Sequence, residues 1–150
     1  MKPIEEFMLL AINEAKRARD CNEVPVGAVV VKDNSVIGTG FNSVIQDHSV
    51  TSHAEIHALN SASKAMRNYR LLNCDLYVTL EPCSTTGLTP PCTKAILDAG
   101  IGRVVFSATD PNPKHAGAAS RLLKRKGVKV DHSLLSDKSS ELNFAFNHWI

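Results

Sequence analysis

The chain alternates short β-branched runs with amphipathic segments, and this alternation constrains its fold more than any other feature. The run PVGAVVV lies within a predicted strand at residues 24–31, and residues 36–40, after the turn residues Asp33 and Asn34, are predicted to pair with it as a hairpin. Further strands are predicted at residues 76–80, 103–107 and 128–131. Strands that alternate with helices predict an α/β protein whose sheet is partly parallel.

Helices are predicted before and between these strands. Apolar residues recur at steps of three and four in residues 4–19 and 53–66, and further helices are predicted at residues 92–99, 117–126 and 138–149. Together the elements predict a three-layer α/β/α sandwich with a mixed five-stranded sheet. A length of 150 residues fits one domain, so residues 1–150 are predicted to form a single unit.

The composition excludes several classes of protein. With 21% charged residues and a net charge of +2, the chain gives no reason to expect a nucleic-acid partner. Acidic residues interrupt the N-terminal MKPIEEFMLL, and no apolar run approaches the length of a membrane span, so a cytoplasmic protein without a membrane partner is expected. Its four cysteines are then expected to be thiols or metal ligands rather than a disulfide framework.

Three junctions between a loop and a helix carry the residues suited to chemistry: SHAEIH at residues 52–57, EPC at 81–83 and PPC at 90–92. A position at a helix start favours a thiolate over a thiol. Neutral His53 with ionised Cys83 and Cys92 would give three ligands of the types that zinc accepts, leaving a fourth position for water. An open fourth position is typical of a catalytic zinc site.

Glu55 is the predicted base beside this metal. His53 and Glu55 are two residues apart, so on a regular helix their side chains point apart and cannot both bind the ion. If the metal lies just beyond the helix start, His53 in cap geometry can bind it while Glu55 faces the vacant position. Zinc lowers the pKa of a bound water toward neutrality, and a nearby carboxylate could take its proton.

Other arrangements of the same residues stay open. A disulfide between Cys83 and Cys92 is geometrically possible but disfavoured in the cytoplasm. His57, four residues after His53, could form a helical ligand pair with it, and Cys74 could close the fourth position and make the site structural. Core or surface roles are favoured for both. The basic run at residues 121–127 is interpreted as a solvated helix face, because no aromatic residues interleave with it.

The combination of His53-Ala54-Glu55, Pro82-Cys83 and a second downstream cysteine resembles the cytidine deaminase-like superfamily. The resemblance extends from PVGAVVV through HAEIHAL and LYVTLEPC to the final helix. It implies a cytidine deaminase-like fold and a zinc-dependent hydrolytic deaminase. It also implies that Glu55 is the catalytic proton carrier and that His53, Cys83 and Cys92 are the ligands.

The eight residues between the two cysteines, together with TPPC, AGIGRVV and DPNP, resemble the deaminase domain of the bifunctional riboflavin-biosynthesis deaminase-reductase family. This implies deamination of a pyrimidine nucleotide, diaminohydroxyphosphoribosylaminopyrimidine, with the reductase on a separate chain. Thr85 and Leu88 depart from that family's loop, in which His and a basic or polar residue are usual. Upstream, GTGFN and DHSVTSHAE resemble nucleoside, free-base and tRNA adenosine deaminases, which are the alternatives.

Substrate contacts are expected from Asn42, from the backbone N–H of Ala54 and, in the DPNP loop, from Asp110 and Asn112. The chain's last residues, SSELNFAFNHWI, lack the basic side chains that would grip RNA phosphates. Members of the superfamily commonly form dimers or tetramers. A homodimer or higher homo-oligomer is therefore expected, with the apolar residues of the final helix as a candidate interface.

Overall fold

A mixed five-stranded sheet forms the centre of the molecule. The computed structural model describes residues 3–49, 52–81, 91–108, 117–132 and 134–149, with side chains described except at residue 91 and residues 143–149. Within these ranges the elements are α1 (Glu5–Asp20), β1 (Gly27–Lys32), β2 (Ser35–Phe41), α2 (Ala54–Met66), β3 (Asp75–Leu80), α3 (Pro91–Ala99), β4 (Arg103–Ala108), α4 (Ala118–Arg125), β5 (Lys129–Asp131) and α5 (Ser136–Trp149).

The strand order in the sheet is β2-β1-β3-β4-β5. β1 pairs antiparallel with both β2 and β3, whereas β3, β4 and β5 run parallel to one another. The prediction of an α/β sandwich with a mixed five-stranded sheet is confirmed. The parallel strands are joined by the helices α3 and α4, as crossover connections between parallel strands require.

The first strand begins later than the sequence pattern predicts. Val24 is the predicted start, but pairing with β2 begins at Gly27. Pro25 has no N–H for a ladder, and the Val26 N–H donates to the Val24 carbonyl at 2.8 Å in a tight turn. The Gly27 N–H then donates to Thr79 Oγ1 at 3.0 Å. Local turn chemistry thus overrides the apolar pattern for three residues.

Alternate residues of the strands face two separate apolar layers. One layer lies under α2, α3 and α4, and the other lies under α1 and α5. The first includes Ala28, Val30, Leu76, Val78, Val104 and Phe106 from the strands, and the second includes Val29, Val31, Tyr77 and Val105. The three central strands, β1, β3 and β4, are therefore buried on both faces, which explains their nearly continuous apolar sequences.

Helix α2 packs on β2 through backbone contacts at two glycines. A Cβ added to Gly38 would lie 2.5 Å from the Ala58 carbonyl oxygen, and one added to Gly40 would lie 2.5 Å from that of Ala54. Real side chains do not tolerate such distances, so glycine is required at both positions. The start of α2 is thereby fixed against the end of β2.

Several chain segments meet at one end of the sheet. Gly27 at the start of β1 pairs with Phe41 at the end of β2, and Leu80 at the end of β3 pairs with Ala108 at the end of β4. The Glu81 N–H continues this pairing by donating to the Ala108 carbonyl at 2.9 Å. Ligand sites of α/β proteins form at such strand ends. None of the helices in the described ranges is long and apolar enough to cross a bilayer.

Candidate active site

His53 occupies the cap position of α2. Its backbone is extended, with φ −87° and ψ 154°, and the helix begins at Ala54. The His53 carbonyl already accepts a hydrogen bond from the His57 N–H at 3.1 Å. The cap geometry that the sequence analysis assumes for His53 is therefore the geometry observed. It places the imidazole at the helix start and Glu55 in the first turn, where the carboxylate is buried.

Glu55 and Cys92 are brought together from two different helices. Cys92 is the second residue of α3 and is only 5% exposed. Its thiol donates a hydrogen bond to the Glu55 carboxylate. Three of the four residues predicted to bind zinc or carry protons, namely His53, Glu55 and Cys92, therefore meet at the starts of α2 and α3.

Burial controls the ionisation of both acids. It raises the pKa of Glu55, against the opposing effects of the residue's own backbone N–H, the charge of His53 and the Cys92 thiol. Burial also raises the pKa of Cys92 far above its usual range, and the charge and hydrogen bond of Glu55 raise it further. Without a metal ion beside it, the Cys92 thiolate is disfavoured by burial and by the adjacent Glu55 carboxylate.

The donors present fit a zinc ion. The His53 imidazole and the buried Cys92 thiol lie near the buried carboxyl group of Glu55. A divalent cation would favour the ionised forms of Cys92 and Glu55. Among the described residues alone, no three potential ligands form a metal cluster. The third predicted ligand, Cys83, lies in residues 82–90, outside the described ranges. Asp110 and Asn112 likewise lie outside them, in residues 109–116.

Asn42 and Ala54, two predicted substrate contacts, are joined by a hydrogen bond. The buried Asn42 side chain accepts a hydrogen bond from the Ala54 N–H at 2.8 Å through Oδ1. The Asn42 N–H donates in turn to the Val26 carbonyl at 3.1 Å. Asn42 thus satisfies the first N–H of α2, and a substrate oxygen could use that N–H only by displacing the Asn42 amide.

His57 and Cys74, the alternative zinc ligands, have other surroundings. His57 Nε2 lies 2.8 Å from Ser43 Oγ and 3.5 Å from Asp47 Oδ2. Cys74 is buried in the core directly before β3, at the opposite end of that strand from Glu81. Cys92 is a free thiol. His57 and Cys74 are therefore engaged away from the Glu55–Cys92 pair.

Two buried glutamates near the site were not identified from the sequence. Glu81, 1% exposed, accepts the Gly117 N–H at 3.1 Å and the Ser120 hydroxyl at 3.0 Å. Glu23, 2% exposed, accepts two backbone N–H groups of the loop that follows β2. The position of Glu81 directly before Pro82-Cys83 is the sequence feature that could have identified it as a residue near the site. Glu23 carries no comparable signal.

Comparison with known families decides the class of this site. A family model described as the cytidine and deoxycytidylate deaminase zinc-binding region matches residues 1–108. The chain belongs to this family. It is therefore a deaminase, and the resemblance seen in HAE and EPC is confirmed. The matched region includes all the residues predicted to bind zinc or carry protons.

Relatives of this deaminase differ in their substrates. The riboflavin biosynthesis protein RibD of Bacillus amyloliquefaciens is 39% identical over 148 residues, which is 97% of this chain but 38% of that protein. The tRNA-specific adenosine deaminase of Buchnera aphidicola subsp. Schizaphis graminum is 45% identical, over 91% of this chain and 88% of its own length. The diaminohydroxyphosphoribosylamino-pyrimidine deaminase of the same organism is 38% identical, over 81% and 76%.

Solved structures of both kinds share the fold. A structure from a study of A-to-I editing by tRNA:A34 deaminases superposes with a TM-score of 0.80 at 36% identity, covering 93% of this chain and 99% of that one. The Thermotoga maritima diaminohydroxyphosphoribosylaminopyrimidine deaminase/5-amino-6-(5-phosphoribosylamino)uracil reductase superposes with a TM-score of 0.79 at 37% identity, covering 97% and 40%. The cytidine deaminase-like architecture predicted for this deaminase is confirmed.

Proposed function

We propose that this deaminase is a zinc-dependent hydrolase of an amino-substituted pyrimidine, diaminohydroxyphosphoribosylaminopyrimidine, in riboflavin biosynthesis. The observation that carries the hydrolytic chemistry is the buried Glu55 carboxylate, which has a raised pKa, is hydrogen-bonded to Cys92 and follows His53 at the start of α2. Burial raises the pKa of such a carboxyl group toward the range in which it can both accept and return a proton.

Glu55 would move the proton in both halves of the reaction. It takes one proton from the water that attacks the ring carbon bearing the amino group and delivers it to the ring nitrogen. It then takes the second proton from the hydroxyl now on that carbon and delivers it to the amino group, which departs as ammonia. The carbon–nitrogen bond breaks, and a ring carbonyl replaces the amino group. Zinc held by His53, Cys83 and Cys92 would supply the positive charge that makes water acidic enough for this transfer. Asn42, Ala54, Asp110 and Asn112 are the proposed substrate contacts.

The choice of a pyrimidine nucleotide is supported by the sequence between the two cysteines. Eight residues separate Cys83 from Cys92, followed later by DPNP, in the pattern that resembles the riboflavin deaminases. The similarity to RibD over 97% of this chain and to the Buchnera pyrimidine deaminase agrees with that pattern.

A tRNA adenosine deaminase is the second candidate. The Buchnera tRNA-specific relative is 45% identical and matches over 88% of its length, a higher identity than that of the pyrimidine deaminase from the same organism. The net charge of +2 offers little attraction to RNA phosphates, and for this reason we place it second.

Ammonia release from a panel of substrates tests the reaction and the substrate together. The panel contains the riboflavin intermediate, cytosine, guanine, cytidine, adenosine and a tRNA anticodon stem. We expect turnover of the riboflavin intermediate. Inosine formation with salt-sensitive tRNA binding would reverse the order of the two candidates, and turnover of a free base or nucleoside alone would exclude both.

A Glu55→Gln variant tests the role of the carboxylate. It should keep its zinc content and lose ammonia release, because glutamine cannot carry the proton. Glu6→Gln, a change of the same kind at an exposed position of α1, is the control and should retain full activity. Normal turnover by zinc-loaded Glu55→Gln would remove Glu55 from the proposed role.

We further propose a cytoplasmic homodimer or higher homo-oligomer that acts without a membrane. The three described cysteines, Cys21, Cys74 and Cys92, are free thiols, as a reducing compartment favours. The interface proposed on α5 involves Phe144, Phe146 and Trp149, whose side chains lie outside the described set. Sedimentation of the purified enzyme measures its mass, and a monomer at micromolar concentration would contradict the proposal.

A further inference from the structure

We propose that Glu23 is a positioning residue for the active site, a role that rests on the proposed function. Its carboxylate fixes the loop of residues 42–49, here called the 42–49 loop. Through Asn42, this loop sets the first turn of α2, which carries Glu55. Glu23 itself lies three residues after the end of α1, and both of its carboxylate oxygens are engaged by backbone N–H groups.

Glu23 is held under the loop by the turn that ends α1. Asn22 has a positive φ of 61°, which reverses the chain, and the Glu23 N–H donates to the Ala18 carbonyl at 2.9 Å. The side chain is 2% exposed. One carboxylate oxygen accepts the Ile45 N–H at 3.1 Å and the other accepts the Gln46 N–H at 2.8 Å. Both acceptor oxygens are therefore committed to consecutive backbone donors of the 42–49 loop.

The loop has little apolar packing at the point where Glu23 holds it. Ile45 is 68% exposed, so its side chain does not anchor the loop to the core. Hydrogen bonds to charged acceptors are stronger than bonds between neutral groups. Two such bonds from adjacent residues fix both the distance of the loop from Glu23 and the orientation of its backbone. The carboxylate of Glu23 is thus the main described attachment of this part of the loop to α1.

Hydrogen bonds connect the 42–49 loop to the start of α2. The Ser43 N–H donates to the Ser52 carbonyl at 2.9 Å, and the Ser43 hydroxyl donates to Asp47 Oδ2 at 2.6 Å. These bonds close the loop on itself beside Asn42, whose Oδ1 accepts the Ala54 N–H. A shift at Ile45 and Gln46 would therefore move Asn42 and change its hydrogen bond to the first residue of α2.

Glu23→Gln is the variant that tests this role. It keeps the size of the side chain but sets an NH₂ group against one of the two backbone donors. Hydrogen exchange at Ile45 or Gln46 should become about tenfold faster, as expected for the loss of one bond to a charged acceptor. Exchange of the Ala54 amide decides between the two interpretations, because Glu23 does not bond to it. The proposal predicts that this amide also exchanges faster. Zinc content should be unchanged, and kcat of the zinc-loaded enzyme should fall about tenfold to a hundredfold.

Two further variants separate positioning from general destabilisation. Glu23→Asp keeps two acceptor oxygens on a shorter stem, and its Ala54 exchange and kcat should lie between those of wild type and Glu23→Gln. Glu6→Gln, at an exposed position of α1, should change neither. Unchanged Ala54 exchange together with unchanged kcat in Glu23→Gln would overturn the proposal. If the wild-type enzyme releases no ammonia from any substrate of the panel, the proposed function fails, and Ala54 exchange alone then decides the role of Glu23.

Discussion

Replacing Gly40 with alanine should impair the deaminase by moving the start of α2. The added Cβ would lie 2.5 Å from the Ala54 carbonyl oxygen, and 2.6 Å from both the Ala58 nitrogen and His57 Cβ. Ordinary contact begins near 3.4 Å, so the helix must retreat by about 0.9 Å. Since two of the three contacted atoms are backbone, no side-chain rotation relieves the clash.

This displacement sets the size of the expected effects. Overpacking of this kind costs about 1–3 kcal/mol of unfolding free energy. A misplacement of catalytic groups by about 1 Å costs roughly a hundredfold in rate. Because Ala54 directly precedes Glu55, we expect kcat of the zinc-loaded Gly40→Ala enzyme to fall by about this factor. Ammonia release and urea unfolding measure the two effects separately.

Two other glycines provide matched controls for Gly40. A Cβ at Gly102 would meet only the Cys74 carbonyl oxygen, at 3.9 Å, so Gly102→Ala should change neither stability nor kcat. A Cβ at Gly27 would clash with the backbone of α1 at Ala11 and Ala15. Gly27→Ala should therefore lose stability while its zinc-loaded form keeps its kcat. Wild-type kcat in Gly40→Ala, or an equal loss in Gly27→Ala, would refute the reasoning.

Three other substitutions have outcomes that follow from local burial. Burial raises the pKa of Asp75 above its ordinary 3.8, although Arg103 acts in the opposite direction, so the ionised carboxylate opposes folding at neutral pH. Asp75→Asn should therefore be more stable than wild type at neutral pH. The difference between their urea midpoints should vanish as pH falls below 3.8. Ser120→Ala leaves a buried Glu81 oxygen without its donor and should lower the unfolding free energy by about 1–3 kcal/mol. The buried Thr93 hydroxyl has no partner among the described residues, so Thr93→Val should be neutral or slightly stabilising in thermal unfolding.

The fold was largely predictable because its signals are local. Runs such as PVGAVVV are buried on both faces of the sheet and therefore lack polar alternation, which identifies them as strands. The helix starts at His53 and near Cys92 follow from polar or proline-containing junctions before apolar periodicity. The same junctions brought the described part of the site together.

The remaining features depend on contacts that sequence patterns do not record. Glu23 and Glu81 are charged residues, which are usually exposed, and only the tertiary structure provides the donors that allow their burial. The pairing of Asn42 with the Ala54 N–H depends on the path of the 42–49 loop. The raised pKa of the Cys92 thiol depends on burial and on Glu55, which only the tertiary structure brings to it.

The contact of α2 with β2 through small residues has a consequence for how this enzyme can change. Gly38 and Gly40 meet the backbone of Ala54, Ala58 and Ala62, so no large side chain sets the position of the helix on that face. The opposite face of α2, which includes Ile56 and Asn60, borders a separate cavity of about 250 Å³. That cavity is also lined by Ala95 and Ala99 of α3, the helix that carries Cys92. Side chains between α2 and α3 can therefore adjust the position of Cys92 while the glycine contact keeps Glu55 in place against β2.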